Sequence, residues 1–135
     1  MTSAPEFRPR VVLADDHPSV LVAFGRLLRA SCEVVASVAE GQAAIDAVGA
    51  LRPDILVVDL MMPGLDGLEV CRQVKLTAPE TDVVIVTACD DTEVENVALQ
   101  DGASAFVPKH SAPGILERTI QQICADRRGV RPPTS

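Results

Sequence analysis

Five residues able to do metal or phosphoryl chemistry stand at the ends of short apolar runs. Asp15 and Asp16 follow VVLA (11–14), Asp59 follows ILVV (55–58), Thr87 and Ala88 end VVIVTA (83–88), and Pro108 and Lys109 follow AFV (105–107). Three carboxylates brought together repel one another and need a cation. Their all-oxygen donor set favours magnesium, which takes one or two carboxylates and keeps waters for an incoming phosphate. Lys109 is a flexible point charge suited to a phosphoryl oxygen, and Thr87 adds a neutral donor. An aspartate between a metal and a lysine is a nucleophile for phosphoryl transfer, with an acyl phosphate as product. Taken singly, an aspartate after a strand is usually a helix N-cap. The specificity lies in the set.

The elements that must position this set are legible from hydrophobic period. The runs VVLA, VVASV (34–38), ILVV, VVIVTA and AFV are rich in β-branched residues and bounded by turn residues, so they read as strands. Between them lie helical stripes: Val20, Leu21, Phe24, Leu27 and Leu28 within 18–30, and Ala43, Ala44, Ala47 and Val48 within 40–50. Leu65, Leu68, Val70 and Val74 follow within 65–76, then Val94, Val97 and Ala98 within 92–101. Ile115, Leu116, Thr119, Ile120 and Ile123 complete the series within 113–125. Strands alternating with helices predict an α/β, doubly wound parallel sheet with helices on both faces and right-handed crossovers. In such sheets functional groups collect beyond the carboxyl ends of the strands, where these five residues stand. Pro108 cannot donate a ladder hydrogen bond, so the fifth strand is expected at a sheet edge or to end there.

Composition narrows the function. The 135 residues suit one domain, 47% hydrophobic content suits a folded core, and a net charge of −7 argues against wrapping nucleic acid unaided. The four cysteines (Cys32, Cys71, Cys89, Cys124) show no C-x-x-C spacing and read as reduced thiols. The N-terminal MTSAPEFRPR lacks the apolar core of a signal peptide, and no apolar run reaches membrane-span length; a soluble cytoplasmic chain is expected.

The ordered set DD, D-x-x-M-P-G-x-D-G, T-A and K resembles the receiver domain of two-component response regulators (the CheY-like fold) over about residues 10–126. VVLADDHPSV and PGLDGLEV look closest to the branch with a LuxR/NarL-type helix-turn-helix output. The resemblance implies five strands in the order 2-1-3-4-5. It also implies that Asp59 is the phosphoacceptor, that Asp16 and Asp59 ligate magnesium, and that Asp15 acts through water and Met61 through its backbone carbonyl. Thr87 and Lys109 would then hold phosphoryl oxygens. Phe106 stands at the switch-aromatic position, so that Thr87 moving toward the new anion vacates space for its ring. The surface of the fourth helix, fifth strand and fifth helix would be remodelled in consequence. The implied partners are a sensor histidine kinase or small donors such as acetyl phosphate, and DNA only through an output domain outside this chain. The domain would catalyse its own phosphorylation and dephosphorylation without being a turnover enzyme. Homodimerisation would use the first and fifth helices or the face from the fourth to the fifth.

Some residues depart from the pattern. Met61 and Cys89 stand two places after the phosphoacceptor and the threonine, where polar residues are common in the family, which predicts a long-lived phosphoryl group. Pro108 precedes Lys109 and His110 follows it, whereas the family lysine is often followed by proline. His17 reads as a helix-start residue near the pocket; with two distant histidines and no cysteine pair, zinc has no support. A haloacid-dehalogenase-type phosphatase would need an acid where Met61 stands, and flavin binding would want aromatics that a chain without Trp or Tyr lacks. A receiver that no longer phosphorylates is opposed by the intact five-residue set. The expected organisation is an extension over 1–9, the receiver over 10–126 and a basic, proline-containing tail or linker over 127–135.

Overall fold

The computed structural model describes residues 8–88, 91–110 and 113–127. Its elements run β1 (Arg10–Ala14), α1 (Pro18–Leu28), β2 (Glu33–Val38), α2 (Gly41–Leu51), β3 (Ile55–Asp59), α3 (Gly67–Thr77), β4 (Asp82–Thr87), α4 (Thr92–Gln100), β5 (Ala105–Pro108) and α5 (Pro113–Arg127). The five strands form one parallel sheet in the order β2-β1-β3-β4-β5, as expected for this α/β doubly wound fold. Pro108 satisfies both of its constraints at once, since β5 is an edge strand and Pro108 is its last residue.

Strand alternation divides the interior into two cores. Val12, Ala14, Leu56, Val58, Val83 and Ile85 face one side, where Ala44 and Val48 of α2, Val70, Cys71 and Val74 of α3, and Ala98 of α4 cover them. Val11, Leu13, Ile55, Val57, Val84 and Val86 face the other, under Leu28 of α1 and Leu116, Ile120 and Cys124 of α5. Both faces being covered is why the inner strands read as unbroken apolar runs. Every residue of β3 is buried. Cys32, Cys71 and Cys124 are buried free thiols, whereas Cys89 lies outside the described residues.

Helix ends and stripes follow local chemistry with three departures. Asp66 caps α3, its carboxylate accepting the Glu69 amide at 2.9 Å, so the helix starts at Gly67 rather than at 65. In α4, Val97 is 43% exposed, and only Val94 and Ala98 of its stripe reach the core. Arg52 ends α2 in the left-handed conformation (φ 50°) with its amide on Val48 O at 2.9 Å, a role usually given to glycine. Helix α5 runs to Arg127; residues 128–135 lie outside the described part, as do residues 1–7. Among the described residues, no helix is long and apolar enough to cross a membrane.

Candidate phosphoacceptor site

Parallel register carries the acids to one place. Ala14 pairs with Val58, so the next residues along, Asp15 and Asp59, leave adjacent strands side by side. Asp59 pairs with Val86, and Thr87 with Pro108, which brings the β4 and β5 ends alongside. The Lys109 amide donates to Thr87 O at 2.8 Å and so directs the lysine back across the top of the sheet. Its Nζ lies 2.8 Å from Asp15 Oδ2 and 3.3 Å from Asp59 Oδ2.

The turn after β3 fixes the orientation of Asp59. Gly64 takes a φ of +79°, and Gly67 presses so closely on the strand end that a Cβ there would lie 2.6 Å from Asp59 O and 2.8 Å from Leu60 Cα. The Gly67 amide donates to Leu60 O at 2.8 Å. The Asp59 carboxylate accepts the Met61 amide. Asp59 therefore caps no helix; Asp66 does that work for α3.

Asp15, Asp59 and Thr87 are buried, at 3%, 4% and 1% exposure. Burial, and secondarily the neighbouring Asp15 charge, push the Asp59 carboxyl above its usual range, against the pull of Lys109 and the Met61 amide. Burial pulls the Lys109 ammonium down, but the hydrogen bond to Asp15 and the charges of Asp59 and Asp15 outweigh it, so its pKa rises.

Asp15, Asp16, His17 and Asp59 offer donor atoms that all lie within 4.8 Å of one another. Opposite ligands of a single hard cation, at about 2.0–2.6 Å from the ion, stand roughly 4–5 Å apart. Asp16 Oδ1 is shielded from solvent yet makes no hydrogen bond. It sits 3.1 Å from His17 Nδ1, but that nitrogen is hydrogen-bonded to Asp15 Oδ1, also at 3.1 Å, and has one proton to give. A carboxylate oxygen left unmatched among three acids is what a divalent cation would complete, and the donor set fits magnesium.

Of the residues picked out by sequence, Asp15, Asp16, Asp59 and Lys109 meet directly. Thr87 is buried at the adjoining strand end. Met61 is 68% exposed and lines a cleft with Asp16, Met62, Pro63 and Asp66, its amide turned to Asp59. Phe106 is half-buried on β5 opposite Ile85 and packs on the α2/α3/α4 core. The residue underrated by sequence reasoning is His17. It is the N-cap of α1, as a helix-start residue should be, but its side chain makes no cap bond and its ring turns to the acids. DDHP alone gives no signal of that orientation.

A match to the response regulator receiver domain model spans residues 11–121. The chain belongs to the response regulator receiver family. The response regulator MprA of Mycobacterium avium (strain 104) is 35% identical over 123 residues, covering 91% of this chain and 53% of that protein. The chain thus spans about half the length of the curated relatives it matches. Among solved structures, the signal receiver domain of NarL from Mycobacterium tuberculosis superposes with a TM-score of 0.84 at 32% identity, covering 90% of this chain and 98% of that one. A LuxR-family two-component response regulator from Aurantimonas sp. SI85-9A1 gives 0.81 at 33%, covering 93% and 89%. This receiver domain accordingly carries its family's acidic pocket at the carboxyl end of the sheet.

Proposed function

We propose that this receiver domain accepts a phosphoryl group on Asp59 in a magnesium-dependent reaction with a sensor histidine kinase or a small acyl phosphate. The observation that carries this reading is the placement of Asp59 at the end of β3, 3.3 Å from the Lys109 ammonium and within the Asp15/Asp16 cluster. Asp16, Asp59 and the Met61 carbonyl would hold magnesium, with Asp15 acting through water. When bound, the ion supplies positive charge to the phosphoryl oxygens and relieves the repulsion among the acids. An Asp59 carboxylate oxygen attacks phosphorus as the bond to the donor's leaving group breaks. Lys109 and the Thr87 hydroxyl then bind oxygens of the transferred group.

Membership of the receiver family supports a switch in the same domain. Attraction of Thr87 to the new anion would free space beside β5 for the Phe106 ring, remodelling the α4–β5–α5 face. The domain acts as a signalling module that catalyses only its own modification and serves no external substrate by turnover. Because the chain matches about half of its curated relatives, and solved relatives belong to NarL and the LuxR family, the output would be transcriptional control through a DNA-binding domain beyond these residues. Homodimerisation through α1 and α5, or through the α4–α5 face, would couple the switch to that output.

The test is intact-protein mass spectrometry after acetyl phosphate treatment with magnesium. Wild type should gain one phosphoryl group and Asp59→Asn none. No gain in wild type would overturn the reading and favour a constitutive interaction domain.

A further inference from the structure

We infer that His17 is a nitrogen donor to the metal of this site and gives the receiver a preference for first-row transition cations such as Mn2+ over Mg2+. The inference rests on the phosphoacceptor reading and deepens it.

Among the described residues the imidazole caps no helix, and its partners are the acids of the cluster themselves. His17 is 62% exposed in its side chain, and although it is the N-cap of α1, no side-chain bond to the helix is made. What holds the residue is its backbone: the amide donates to Asp15 Oδ1 at 2.9 Å, and Pro18 begins the helix behind it. This tight return of the chain swings the ring over the acids, with Nδ1 3.1 Å from both Asp15 Oδ1 and Asp16 Oδ1.

Charge and position separate two sides of the cluster. Lys109 takes the Oδ2 side of Asp15 and Asp59, whereas His17 faces Asp15 Oδ1 and the unmatched Asp16 Oδ1. Three carboxylates less one ammonium leave a net charge of −2, which one divalent ion neutralises. On the His17 side that ion meets carboxylate oxygens and an imidazole nitrogen together. Magnesium gains little from imidazole, whereas first-row transition ions accept mixed oxygen and nitrogen donors with affinities rising along the Irving–Williams order. Ligation through Nδ1 requires the neutral imidazole with its proton on Nε2, so the Nδ1 hydrogen bond to Asp15 would be exchanged for the bond to the ion.

Pulsed electron paramagnetic resonance on the Mn2+-loaded chain reads the nitrogen directly. Wild type should show strong 14N modulation, lost in His17→Ala and His17→Gln. Calorimetric titration should show Mn2+ affinity falling about tenfold in both variants while Mg2+ affinity changes less than about twofold. Unchanged 14N modulation in the variants, or equal losses for the two ions, would overturn the inference. If those results accompany normal Mg2+-dependent phosphorylation of Asp59, only the role of His17 falls. If wild type binds neither ion and takes no phosphoryl group, both readings fail together.

Discussion

Lys109 Nζ lies closer to Asp15 Oδ2, at 2.8 Å, than to Asp59 Oδ2, at 3.3 Å. The lysine is thus anchored on Asp15 while staying within reach of Asp59, the proposed acceptor. Ionic anchoring of this kind would hold a cation in place without committing it to the acceptor carboxylate.

Removing that cation tests the arrangement. Lys109→Ala leaves two buried carboxylates without their partner, which costs about 3–5 kcal/mol when a pair is fully buried. Lys109 keeps 17% of its side chain exposed, so the lower figure, about 3 kcal/mol, is expected in urea unfolding without metal. Magnesium should recover part of the loss but not the rate of phosphorylation by acetyl phosphate.

Asp59→Asn should stabilise the metal-free protein at neutral pH. Burial, with the Asp15 charge second, raises the Asp59 carboxyl above its ordinary value of 3.8, so the native state holds this proton more tightly than the unfolded state does. Stability from this group therefore falls as pH rises through the window from 3.8 to the raised native value. Above the window the ionised side chain is a net cost that asparagine removes. Thermal melts should show the variant melting higher at neutral pH, with the gap closing below the window. Magnesium should raise the melting temperature of wild type more than that of the variant.

Gly67→Ala should disturb the proposed acceptor, Asp59, from outside the pocket. The added Cβ meets backbone, Asp59 O at 2.6 Å and Leu60 Cα at 2.8 Å, with no flexible side chain to yield. A cost of about 1–3 kcal/mol is expected, with slowed phosphorylation because the strand end carrying Asp59 must shift. Denaturation and phosphorylation rates measured on the same variant check both halves.

A long phosphoryl lifetime is expected from Met61, whose thioether cannot orient an attacking water. Loss of the phosphoryl mass increment in magnesium buffer should take well beyond seconds, and Met61→Asn should shorten it. Cys89→Glu should act in the same direction.

The strands, their parallel arrangement and the acids at their ends were legible in the sequence because a sheet covered on both faces leaves a plain signature: β-branched runs that end abruptly in polar residues. ILVVD could be read as a strand delivering a carboxylate because all five residues are buried. Lys109 was legible for the same reason, following the last strand directly. Three features were decided by tertiary structure alone. The ring of His17 turns to the acids because its amide and Pro18 together set the path of the chain, and no residue type encodes that direction. Arg52 takes a left-handed cap that propensity would assign to glycine, its amide bonded to Val48 O and its guanidinium to Glu80, 28 residues away. Lys109 settles on Asp15 before Asp59 by a difference of half an ångström between two distances, 2.8 and 3.3 Å. Periodicity records which side of an element is buried; it does not record where a side chain aims once several elements meet, because that depends on distances between residues remote in the chain.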